Sequence, residues 1–83
     1  MKVAGGVMST LDDWQPGARF RLLDYGVIQP AFRSQLLAMG LTLGVVVQVI
    51  RIAPLGDPIQ MEVRGVLVAL RRADLQALHW KKL

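Results

Sequence analysis

The chain has 83 residues, is 53% hydrophobic, carries a net charge of +4 and contains no cysteine. That length makes one domain with a small core, burying about 60–65% of its unfolded surface. The composition excludes a disulfide framework, a thiolate metal site and a cysteine nucleophile.

The first eight residues are Gly-rich and aperiodic, which predicts a flexible terminus over 1–8 and a single domain over 9–83. They lack the apolar region of a secretory signal. The longest apolar runs, around Val45–Ile50 and Val66–Leu70, fall far short of the roughly 18–20 residues that span a membrane. The expectation is a soluble intracellular protein.

Ser9-Thr10-Leu11-Asp12-Asp13-Trp14 opens with capping and acidic residues, which suits one helical turn. Pro16-Gly17 ends it. Arg19 to Tyr25 reads as a strand stopped by Gly26. Pro30 then opens a helix at the position where a missing N–H costs nothing. Phe32, Leu36 and Met39 recur at i, i+4 and i+7 as one apolar stripe, and Gly40 terminates the helix. Thr42-Leu43-Gly44 is a turn.

Val45 to Ile52 is β-branched and strand-like. Val47 and Val49 face inward with Gln48 outward, so Ile50 and Ile52 must change phase around Arg51. That predicts a bulge near 49–50. Ile59, Met61 and Val63 alternate with Gln60, Glu62 and Arg64, giving a strand with one core face and one wet face. Gly65 makes a tight connection into Val66–Arg71, one face of which carries Val66, Val68 and Leu70 and the other Leu67, Ala69 and Arg71; with the first set as core, Leu67 is partly exposed. Asp74 is read as capping a short turn through Leu78, and His79–Leu83 alternates again and can close the sheet. Trp14 and Trp80 read as plugs of the barrel end rather than as walls of a peptide groove. The sum is mainly β: a small SH3-like barrel of about five strands, with one short α-helix and a helical turn.

The most informative stretch is Arg51-Ile52-Ala53-Pro54-Leu55-Gly56-Asp57-Pro58-Ile59. Two prolines fix φ near −65°. Gly56 tolerates positive φ, and Asp57 can bond nearby backbone. The loop reads either as a plain hairpin connection or, since a plain hairpin needs less constraint, as one shape held for recognition. Pro54 and Gly56 would project Leu55 outward as an apolar anchor. Arg33 on the helix and Arg71 near the last strand offer guanidinium groups to acidic partner residues.

Catalytic chemistry has little to stand on. His79 is the one histidine, and no HExxH, GxSxG or phosphate-loop motif is present. His79 with Glu62 or Asp74 would make only a weak, open metal site. No cofactor is expected. The positive charge and small sheet would suit a nucleic-acid-binding barrel, but the aromatics are 6% of the chain and are not interleaved with basic residues as a stacking platform requires.

Pro30-Ala31-Phe32-Arg33-Ser34-Gln35-Leu36-Leu37-Ala38-Met39-Gly40-Leu41 resembles the helix and turn of the FeoA family. The Ala53–Pro58 string is similar to that family's central signature, and Val68-Ala69-Leu70-Arg71-Arg72-Ala73-Asp74-Leu75 to its final strand and turn. The likeness runs from about Leu11 to Trp80. Leu43 departs from it, standing where the family commonly has proline. The resemblance implies an SH3-like barrel and a cytoplasmic accessory role in bacterial ferrous-iron uptake. The implied partner is the cytoplasmic part of the FeoB membrane transporter; the residues themselves point to Pro54, Leu55, Gly56, Asp57, Arg33 and Arg71 as its contacts. Contact with the membrane would come only through that partner, and no nucleic acid is implied. The edge strands and Leu67 also allow weak self-association.

Overall fold

The structure is a computed structural model, and it describes residues 13–83. The flexible terminus expected over 1–8 lies outside the described residues. So does most of the helical turn expected over 9–14, of which Asp13 is in a 3₁₀ conformation.

Five antiparallel strands make one sheet: β1 (Arg19–Asp24), β2 (Val46–Ile52), β3 (Ile59–Val63), β4 (Val66–Leu70) and β5 (His79–Lys82). Their order is β4-β3-β2-β1-β5. Helix α1 (Pro30–Ala38) joins β1 to β2, and α2 (Arg72–Ala77) joins β4 to β5. Strand β1 is thus paired with both β2 and β5, so the last strand of the chain returns beside the first.

Helix α1 starts at Pro30, with Gln29 as an N-cap that makes no side-chain bond. Its apolar stripe packs as the spacing requires: Leu36 is fully buried, and Phe32 and Met39 lean on the core. The C-terminus closes through paired bonds, Leu41 N–H to the Leu36 carbonyl and Gly40 N–H to that of Leu37. Gly40 at φ +94° takes the left-handed position this closure needs.

The expected bulge is present. Pairing of β2 with β3 slips between Val49 and Arg51, leaving Ile50 exposed while Val47 and Val49 are buried. A second irregularity lies between Leu22 and Asp24. Such irregularities bend a sheet enough to wrap a small core. That core gathers Phe20, Leu22, Val47, Val49, Met61 and Val63 from the strands with Leu36, Leu75 and Leu78 from the helical segments. Trp14 stacks on Phe20 with ring centroids 3.8 Å apart and meets Trp80 edge-on at 5.0 Å. Both tryptophans are therefore core, as expected.

Two expectations are corrected. The alternation that places Val66 on the core face with Val68 and Leu70 does not hold at Val66, which is 58% exposed. It follows the Arg64-Gly65 turn, whose two positive φ values suit a tight hairpin connection; its partner across the ladder, Val63, is buried, but β4 is the edge strand, and burial along it is complete only at Leu70. Asp74 was read as a cap but sits inside the first turn of α2, whose N-cap position is held by Arg71 without a side-chain bond. The cap comes from elsewhere in the fold.

Candidate functional site

The β2–β3 loop, residues 53–58, is the most constrained irregular segment. It is closed at its base by the Ala53 N–H donating to the Pro58 carbonyl at 3.1 Å. Inside it the Gly56 N–H donates to the Ala53 carbonyl at 2.7 Å. Gly56 has φ +91°, a conformation that costs a side-chain-bearing residue about 1–2 kcal/mol. The Asp57–Pro58 peptide is cis.

A second layer of restraint comes from α2. The Asp57 Oδ1 accepts the Arg72 backbone N–H at 2.8 Å, which supplies the cap that Arg71 cannot. Arg72 answers with its side chain: its Nε donates to the Gly56 carbonyl. Loop and helix thus hold each other reciprocally. The helix is fixed in turn by buried Leu75, whose carbonyl accepts the Trp80 Nε1–H at 3.0 Å.

On this clamped loop Leu55 is 97% exposed. Gly56 and Asp57 spend their polar groups inward on α2, and Pro54 flanks the leucine from an exposed position. Arg71 is exposed beside the clamp, one residue before Arg72. Arg33 lies elsewhere, on α1, with its guanidinium 5.1 Å from the centre of the Tyr25 ring. The predicted site residues therefore fall into two places: Pro54, Leu55, Gly56, Asp57 and Arg71 around the start of α2, and Arg33 over Tyr25. Sequence reasoning missed Arg72. The signal was a helix whose preceding residue cannot cap it, so that a carboxylate had to come from another segment.

The weak metal candidates are spread over different elements, His79 on β5, Glu62 on β3 and Asp74 on α2. Among the described residues no three His, Asp or Glu side chains converge. A shallow open cavity of about 480 Å³ is lined by Val27, Ile28, Gln29, Pro30 and Phe32, none of them titratable. It offers apolar contact rather than acid–base chemistry. Among the described residues no helix is long and apolar enough to cross a membrane.

The five-stranded antiparallel sheet with its two short helices defines a small SH3-like β module. Residues 9–81 match the FeoA domain family, and the chain belongs to that family. Its members are small accessory proteins associated with ferrous-iron transport. Among similar structures is the FeoA protein of Chlorobium tepidum, 32% identical, covering 90% of this chain and 70% of that one with a TM-score of 0.78. A Pseudomonas aeruginosa protein is 44% identical, covering 83% of this chain and 93% of its own, with a TM-score of 0.63. An iron uptake regulatory protein, FeoA, is 27% identical over 88% of this chain and 93% of that one, with a TM-score of 0.72.

Proposed function

We propose that this domain is a cytoplasmic accessory protein of ferrous-iron uptake that works by protein–protein contact, docking on the cytoplasmic part of a FeoB-type transporter through the 53–58 loop. The observation that carries this reading is Leu55: a large apolar side chain, nearly fully exposed, on a loop whose flanking polar groups are turned inward and hydrogen-bonded. A pre-ordered loop gives up little conformational entropy on binding, so the energy of burying its apolar tip goes into affinity. Arg71, exposed one residue before Arg72, is a cation for an acidic rim. Arg33 is a second such group on α1. The name of one similar protein, an iron uptake regulatory protein, supports a regulatory contact over a catalytic one.

The test is binding of the whole protein to the purified cytoplasmic G domain and to the full-length transporter, with GTP hydrolysis followed in parallel. Binding accompanied by a changed hydrolysis rate makes the protein a regulator; binding without it makes the protein an assembly factor. Absence of binding to both forms refutes the reading.

A further inference from the structure

The outer face of the sheet carries basic groups that the loop-docking reading does not use. In the β1–β5 pair Arg21 stands directly opposite Lys81. Arg19 is two residues along β1 on the same face, opposite Gln48 of β2. Past the β2 bulge, Arg51 pairs with outward-facing Gln60. All four basic residues are exposed. Among the described residues the recorded ion pair joins Lys82 to Asp13 instead. Like charges directly opposite one another on paired strands are destabilising, so the Arg21–Lys81 pairing works against folding. Among the described residues other than Asp13, the strand register brings nearest Glu62, two strands from Arg19 across Gln48 and hence about 10 Å away, and Asp24, opposite His79 at the end of the strand pair. Exposed Leu23 and Leu83 flank the cations; the Leu83 N–H donates to the Arg19 carbonyl at 2.9 Å.

We propose that this face, centred on Arg19, Arg21 and Lys81, docks directly on an anionic phospholipid surface. The complement to arginines that form no ion pair among the described residues is a phosphate or carboxylate array. The face is the outside of a sheet rather than a groove, so it suits a planar array. Its flanking leucines can enter the headgroup boundary. Arg19, Arg21 and Lys81 lie on β1 and β5 and are not residues of the 53–58 loop.

The experiment is flotation of the full chain with phosphatidylglycerol-rich vesicles and with pure phosphatidylcholine vesicles. Binding to the anionic vesicles alone is expected, weakening as salt shortens the Debye length from about 8 to about 3 Å. Each basic residue near an anionic surface is worth about fivefold in affinity, so Arg21→Gln with Lys81→Gln should weaken binding about 25-fold. The urea midpoint of that double variant should hold or rise, since a repulsion is removed. Leu55→Ala should bind vesicles like the wild type, which separates this claim from the docking loop. Equal binding to neutral vesicles, an unaffected double variant, or retention by polyglutamate or an oligonucleotide with no vesicle binding would each overturn it.

Discussion

Replacing Asp57 with alanine tests whether the loop and α2 hold each other. The change removes the Oδ1 acceptor that lies 2.8 Å from the Arg72 N–H. Loss of an N-cap costs about 1 kcal/mol, and loss of a carboxylate from a helix N-terminus adds about 0.3–1 kcal/mol at an exposed site. The sum is about 1–2 kcal/mol. For a domain of this size each kcal/mol lowers Tm by about 4–8 °C, so Asp57→Ala should melt roughly 5–15 °C below the wild type. Asp57→Asn keeps the oxygen and loses only the charge, and should recover most of that. Leu55→Ala removes an exposed side chain and should stay within about 0.5 kcal/mol of the wild type. Thermal and urea unfolding followed by circular dichroism read all three. If Asp57→Ala melts with the wild type, or Leu55→Ala falls as far as it does, the clamp is not what holds the loop and Leu55 is not a free tip.

Two glycines separate backbone strain from crowding. Gly65→Ala, at φ +82° with open space around it, should cost about 1 kcal/mol. Gly26→Ala would place a Cβ 2.5 Å from the Ala77 carbonyl oxygen and should cost about 2–3 kcal/mol more, because backbone must move; urea midpoints compare them. Tyr25→Phe removes the donor to the Leu41 carbonyl, held at 2.6 Å in a buried position, and should cost about 1–3 kcal/mol while leaving a ring for Arg33. Ferrous-iron titration by calorimetry should show no affinity tighter than micromolar, unchanged in His79→Ala, because no three candidate ligands converge among the described residues.

Much of the fold was legible because the signals were local. Pro30 and Gly40 bracket a helix whose apolar stripe has the right period, and the change of phase around Arg51 announced a bulge. The constraint in the 53–58 loop was equally visible, from two prolines and a glycine. What could not be read was where the loop's polar groups go. Asp57 looked like a residue bonding its own turn, yet it caps a helix 15 positions away; such a partner is set by how β3 and β4 fold back, which no local pattern encodes. Val66 failed for a related reason. Alternation identifies the inward phase of a strand but not that the strand will lie at the edge of the sheet, as β4 does. The Arg21–Lys81 pairing likewise emerges only from the register of two strands almost sixty residues apart in the chain.

The most direct test of the central claim is calorimetric titration of wild-type protein and Leu55→Ala into the full-length FeoB transporter, with Tm measured on both. Burying a fully exposed leucine is worth about 1.5–3 kcal/mol, so the account predicts binding weakened about 10- to 100-fold in Leu55→Ala, with the Tm unchanged. Equal affinity of the two proteins would contradict it and remove the loop from the interface.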